Sequence, residues 1–316
     1  KVLGGVARGD KRDAEKALKS AEWAYEAWFQ TPVVKRAEIL RNATLLIRER
    51  KEELVEIVAL ESGKSKREAL LEAGSSIESG FFFAGEGRRY CGEVQQSVSP
   101  NREVRMIRQP IGVGALITPF NNPAAGIAGK LFPALLCGNT VVLKSHEYTP
   151  GVAVWFAKIF KEAGLPSGVI SVVQGLGREV GTPLVSDPRV KFVSFTGSVR
   201  TARAILKATV GRLAKVLIES GGKNPFVVCD DADLERAAAI AVQAAFVDAG
   251  QRCSAASRII VFDKVHDKFK KMFLANVSKL KVGAGENDDF GAIISEGRLK
   301  EILKEVKGAL KRRAVL

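Results

Sequence analysis

Histidine is almost missing from this chain: 316 residues contain two, His146 and His266. A Ser-His-Asp triad would have to recruit one of them, and neither sits in a nucleophile-elbow context. A zinc site is equally starved, because no spacing of His and Cys matches a ligand pair, so no metal is expected. His146 reads as a polar residue at a strand end, and His266, on a lysine-rich helix, as a solvated one. Acid–base work therefore falls to carboxylates, lysines or water. The four cysteines, Cys91, Cys137, Cys229 and Cys253, are scattered without a CxxC pair. That excludes the dense disulfide framework of a small secreted domain and favours reduced thiols. No apolar run approaches the ~18 residues that span a bilayer, and the stretch KVLGGVARGDKRDAEKALKS lacks the apolar core of a signal peptide. A cytoplasmic setting with no membrane partner is the expectation. There is no GxGxxG, no internal repeat and no low-complexity tract.

What is present is a globular composition, 46% hydrophobic and 27% charged, in a chain longer than a single core usually supports, so two domains are expected. The formal charge of +14 raises the question of nucleic acid. Lys and Arg are interspersed with acids, as in RNATLLIRERKEELVEIVALESGKSKREALLEA, with no aromatic-interleaved basic stripe, and nucleic-acid binding is not expected.

The first ninety residues predict helices. Ala14, Ala17, Leu18, Ala21, Ala24, Tyr25 and Trp28 recur at helical spacing, and Thr31-Pro32 reads as a cap and proline opening the next helix. A further helix begins near Lys51 and stops at Gly63. Between about residues 92 and 109, VQQSV and REVRMIRQ flank a Ser-Pro-Asn turn, which predicts a β-hairpin suited to an edge or an oligomer contact. From Pro110 the rhythm is strand, turn, helix. GVGALIT, TVVLK, VISVV, KFVSFT and AKVLIE are short and rich in β-branched residues, the pattern of a parallel sheet wrapped by helices. After Glu219 a second α/β series starts with PFVVC, a helix opening at Asp231 or Asp233, the segment GQRC, strand RIIVF and helix VHDKFKKMFLANVSKL. The expected division is residues 1–220 and 221–316, with the boundary near Ser220-Gly221-Gly222.

A lone cysteine is usually a small buried hydrophobe, and Cys91, Cys137 and Cys229 fit that reading. Cys253 differs. It lies between Gly250-Gln251-Arg252 and Ser254-Ala255-Ala256-Ser257, a run of small and polar residues that would leave a thiol accessible beside a cation. By itself this leaves structural and catalytic roles both open. Phe195-Thr196-Gly197-Ser198 ends a predicted strand and opens a helix, where backbone N–H groups and the helix dipole can hold a phosphate. Gly175-Leu176-Gly177 adds a second such turn, although glycine there also serves sterics alone.

Read together, the motifs follow the order and spacing of the aldehyde dehydrogenase superfamily. Pro119-Phe120-Asn121-Asn122-Pro123 resembles its PWNFP segment, and Leu143-Lys144-Ser145-His146-Glu147 its strand-end lysine and glutamate. Phe195-Thr196-Gly197-Ser198 is similar to its FTGS turn. Glu219-Ser220-Gly221-Gly222-Lys223-Asn224-Pro225 resembles its ELGGKNP segment, and Gly250-Gln251-Arg252-Cys253 its GQxC nucleophile segment. The resemblance implies a Rossmann-like cofactor domain over residues 1–220, the first part of an α/β catalytic domain over 221–316, and a projecting β-hairpin.

The same resemblance implies oxidation of an aldehyde to a carboxylic acid, with hydride transfer to NAD, preferred, or NADP. Cys253 would be the nucleophile, Asn121 with a backbone N–H the oxyanion donors, and Glu219 the base that activates water. Lys144 and Glu147 would bind the adenosine ribose and Ser198 a phosphate, with Phe120 in place of a tryptophan. Thr118, Pro119, Gly177, Gly197 and Gly221 complete the implied cofactor contacts. The positive field would attract an anionic dinucleotide or an acidic aldehyde. The partners implied are a small-molecule aldehyde and further copies of the chain, as a homodimer or homotetramer. Asn122 stands where the family often has an aromatic, Ala202 where it has a glycine, and the chain ends before the EIFGP segment, so a longer polypeptide or a fragment of low activity is expected. Two other readings stay open: a CoA-acylating semialdehyde dehydrogenase, against which Glu219 argues, and a catalytically idle binding or structural member.

Overall fold

The computed structural model describes residues 3–315. Four helices come first: α1 (Lys11–Gln30), α2 (Val33–Glu49), α3 (Lys51–Ser62) and α4 (Lys66–Glu86). Asp10 opens α1 with a reciprocal capping box to Asp13. Thr31 does not cap α2 as expected. Its hydroxyl donates to the Ala27 carbonyl at the end of α1, and Pro32 stands at the N-cap of α2 without a side-chain cap bond. The turn between the two helices is instead held by buried Arg36, which donates to the carbonyls of Leu136 (2.8 Å), Phe29 (3.2 Å) and Thr31.

The predicted hairpin forms as β1 (Glu93–Gln96) and β2 (Glu103–Met106), an antiparallel pair exposed along its whole length. There follow β3 (Val113–Ile117), α5 (Pro123–Leu136), β4 (Thr140–Lys144), α6 (Pro150–Glu162), β5 (Ile170–Val172), α7 (Thr182–Ser186), β6 (Val190–Gly197), α8 (Val199–Thr209) and β7 (Lys215–Ser220). They make a five-stranded parallel sheet of order β5-β4-β3-β6-β7. Its central strands are apolar on both faces because helices cover both: Val113, Ala115, Val142, Val193 and Phe195 share one buried cluster with Ala14, Leu18, Leu184, Ala202 and Ile205. Gly114 on β3 is where the Phe192 ring of β6 lies across the strand; a Cβ there would sit 2.1 Å from the ring.

The chain continues as β8 (Asn224–Val228), α9 (Leu234–Phe246), β9 (Ala256–Val261), α10 (His266–Val277) and α11 (Glu296–Lys311), with β8 and β9 paired in parallel. Asp233 caps α9. Phe269, Ala238, Ala241 and Val228 form a separate small core. The contacts divide the chain into two compact units, one running to Ile57 and resuming over Leu71–Ser220, the other Val58–Leu70 with the chain from Gly221 onward. A single cut at 220 is therefore too simple. The end of α3 and the start of α4 pack with the later unit, because buried Lys64 and Glu68 have their partners there.

Candidate active site

In the first unit, strand order reverses between β3 and β6: β4 and β5 extend the sheet one way, β7 the other. In an open parallel sheet, the loops leaving neighbouring strands at such a reversal run to opposite faces and leave a crevice at the carboxyl ends. Several of the residues singled out in the sequence lie at these strand ends. Thr118, Pro119 and Phe120 follow β3, Lys144 ends β4, Gly197 ends β6, and Glu219 stands one residue before the end of β7. Register aligns them, with Ile117 opposite both Lys144 and Phe195, and Thr196 opposite Glu219. The Thr118 N–H donates to the Lys144 carbonyl at 3.2 Å, while its buried hydroxyl has no hydrogen-bond partner. An unsatisfied buried hydroxyl costs roughly 1–3 kcal/mol, and at a strand end it suits a ligand atom.

Asn121 lies in the half-buried loop between β3 and α5. The start of α5 is capped from a distance: buried Glu72 on α4 accepts from the N–H groups of Ala124 (2.7 Å) and Ala125 (3.2 Å). Its negative charge sits at the positive end of the helix, which holds the loop carrying Asn121. Lys144 is buried, donates from Nζ to the Ser145 carbonyl at 2.8 Å, and lies 3.8 Å from the part-exposed Glu147 carboxylate. Burial pushes the Lys144 ammonium below its ordinary range, with Glu147 opposing. The His146 ring stacks edge-on with Phe120 at 5.3 Å, and its pKa is lowered by burial. Its place at the strand end matches the expectation, and it is more enclosed than a merely polar residue. Glu147, Pro150, Gln174, Gly175, Leu176 and Arg8 line an open cleft beside it. Gly177 begins a short π-helical turn over Gly177–Gly181. Ser198 caps α8, accepting from Thr201 N at 3.2 Å. Ala202, in place of a glycine, faces the buried core of this unit.

Lys130 was not anticipated. It is the single cation in the apolar run of α5, and its ammonium donates to the Ser194 hydroxyl of β6 at 2.9 Å. Burial drives its pKa down to about 8, against the pull of the Glu219 charge. A lone lysine in a segment otherwise apolar on all sides was the available signal. Glu219 itself is exposed at its strand end.

In the second unit, Cys253 is exposed on the loop before β9. The Asn224 side chain donates to the carbonyls of Cys253 (2.7 Å) and Ala255 (3.1 Å). Asn224 thus ties the segment after Gly221-Gly222 to the thiol loop. Gly221 is exposed with no atom within 4 Å of a built Cβ, so backbone there is open to close approach by a ligand. Exposure does not single out Cys253, however. Cys91 and Cys229 are exposed and Cys137 is half-buried, contrary to the expectation of buried thiols. Cys91 lies in the turn after α4, and Cys229 follows the end of β8. Among the described residues no cluster of His, Cys, Asp and Glu could hold a metal, and no helix is long and apolar enough to cross a membrane.

The sequence model of the Aldehyde dehydrogenase family matches residues 1–316. The chain belongs to that family. It is 37% identical over 309 residues to D-glyceraldehyde dehydrogenase (NADP(+)) of Thermoplasma acidophilum, covering 97% of this chain and 63% of the relative. It is 36% identical to lactaldehyde dehydrogenase of Escherichia coli, covering 98% and 65%. Betaine aldehyde dehydrogenase from Staphylococcus aureus in complex with NAD+ superposes with a TM-score of 0.95 at 33% identity, over 97% of this chain and 62% of that one. The chain thus spans somewhat under two thirds of the length of these relatives. Its α/β fold with a Rossmann-like parallel sheet is the family fold.

Proposed function

We propose that this chain carries the cofactor-binding and nucleophile-bearing parts of an NAD(P)-dependent aldehyde dehydrogenase. The observation that supports it most is the gathering of the family's motif residues at the carboxyl ends of β3, β4, β6 and β7, around the strand reversal. The first unit is the dinucleotide-binding part and the second the start of the catalytic part. Thr118, Pro119, Phe120, Lys144, Glu147, Gly177, Gly197 and Ser198 would hold the dinucleotide, with Gly221 allowing its approach to the backbone.

The dinucleotide, when bound, supplies the hydride acceptor. Cys253, as thiolate, attacks the aldehyde carbon and forms the S–C bond of a thiohemiacetal. Asn121 and the Cys253 N–H stabilise the oxyanion, each aimed donor contributing roughly 3 kcal/mol. Loss of hydride leaves a thioester on Cys253. Glu219 takes a proton from water, the resulting hydroxide displaces sulfur, and the acid leaves with the thiolate restored. Lys130, part-buried and within electrostatic reach of Glu219, is poised to pass a proton on. Glu147 accepts from the ribose hydroxyls and disfavours a 2′-phosphate, which supports NAD over NADP; the relatives' own names divide between the two. The exposed hairpin, with Val94, Val104, Met106 and Ile107 open to solvent, suits pairing between copies in a homodimer or homotetramer. A cytoplasmic setting, where thiols stay reduced, goes with this reading.

Substitution decides the nucleophile. Cys253→Ser should lower aldehyde-dependent NADH formation by orders of magnitude, while Cys91→Ser, Cys137→Ser and Cys229→Ser stay close to wild type. Full activity in the Cys253 variant would end this mechanism, and turnover that requires added coenzyme A would favour the acyl-transferring alternative.

A further inference from the structure

The loop before Cys253 carries the most strained backbone among the described residues. Asp248 (φ 55°), Ala249 (φ 54°) and Gly250 (φ 71°) are left-handed in succession, and Ala249 carries a side chain that disfavours that region. Such a conformation persists only when its surroundings over-determine it. The surroundings come from far back in the chain. Asp248 is buried, and its carboxylate pairs with the buried Lys64 ammonium at 3.0 Å. Its N–H donates to Glu68 Oε1 at 2.6 Å. The other oxygen of buried Glu68 accepts from Gly291 N and Ser65 N, each at 3.1 Å. Asp248 also faces the Arg252 guanidinium at 3.5 Å, one residue before Cys253. Gln251 ties the turn in from the other side, donating to the Asp248 carbonyl at 3.1 Å and accepting from Ile294 N at 3.0 Å.

We propose that Lys64 and Glu68 are positioning residues for Cys253, acting through Asp248 to fix the left-handed turn that presents the thiol and the cation beside it. None of them need touch substrate. The cluster of Lys64, Glu68, Asp248 and Arg252 carries two charges of each sign. Removing one member therefore changes both the geometry of the turn and the field at the sulfur. The inference rests on the reading of Cys253 as nucleophile, but its test does not require turnover, so the two can fail separately.

The test is amide hydrogen exchange across residues 247–256, combined with the rate of Cys253 alkylation by iodoacetamide at neutral pH. Lys64→Met should speed exchange at Asp248 and Gly291 at least about tenfold, leaving β3 and β6 unchanged. It should slow alkylation about threefold, because the uncompensated negative charge disfavours thiolate. Asp248→Asn keeps a residue tolerant of the left-handed region and leaves a surplus positive charge, so alkylation should quicken by a similar factor. Lys64→Arg should restore wild-type behaviour. Loosening alone would move both variants in one direction; opposite directions require the cluster to set the field. The proposal is overturned if Asp248 exchange in Lys64→Met stays within about twofold of wild type, or if both variants shift alkylation the same way. Should Lys64→Met fail to fold, Glu68→Gln, which keeps an acceptor and the side-chain shape, carries the same test. It is expected to give faster Asp248 exchange and faster alkylation, and no change in either would overturn the proposal.

Discussion

Replacing Lys130 with methionine should make this protein more stable at neutral pH and less able to release product. Burial lowers the Lys130 pKa from 10.5 to about 8, a displacement that corresponds to roughly 3 kcal/mol against the charged form in the folded state. Part of the side chain reaches solvent, and the hydrogen bond to Ser194 is lost in the variant at about 1 kcal/mol, so the net gain should be on the order of 1–2 kcal/mol. The sign with pH follows from proton binding. Between about pH 8 and 10.5 the unfolded lysine holds a proton that the folded one has released, so stability attributable to this group rises with pH. Below about pH 8 the full penalty is present. Urea unfolding of both proteins from pH 7 to 10 measures this: the variant should lead at pH 7, and the gap should close as pH rises. A variant less stable at pH 7, or two curves that stay parallel to pH 10, would refute the reasoning. Because the Lys130 charge also acts on Glu219, steady-state turnover should fall in the same variant.

Two further outcomes follow from the geometry. Glu147→Gln, which removes the negative charge beside Lys144, should raise the ratio of NADP to NAD specificity about tenfold, measured as kcat/KM for each; an unchanged ratio would mean that other groups set the preference. Glu72→Ala removes the acceptor for Ala124 and Ala125 at the head of α5. It should cost about 1–2 kcal/mol in chemical denaturation and lower kcat more than cofactor affinity, since Asn121 lies in the loop so held. Stability equal to wild type would show that the cap is dispensable.

Much of the sheet was legible in the sequence because β-branched runs such as TVVLK and KFVSFT are short, apolar on both faces and separated by helix-length segments. A helix start was legible where the side chain acts locally, as with Asp233. What escaped was non-local. Lys64 and Glu68 look like ordinary helix-start charges, and their partners 180 residues or more away lie outside any local window. Glu72 caps a helix 52 residues later, a relation no window along the chain contains. Thr31 misled because a Thr-Pro pair suits the end of one helix as well as the start of the next. The thiols misled because average burial of cysteine says nothing about a turn after α4 or a strand end. Cys253 stood out through its neighbours in sequence rather than through its exposure.

The central claim is that acyl transfer passes through Cys253 and that Glu219 governs its release. The most direct measurement is mass spectrometry of Glu219→Gln protein acid-quenched after mixing with an aldehyde and NAD+. The expected result is an acyl adduct, raising the mass of the peptide containing Cys253 by that of the aldehyde less two hydrogens, at close to one equivalent and on no other cysteine. An adduct on Cys91, Cys137 or Cys229, or NADH formed at wild-type rate with no adduct at Cys253, would contradict it.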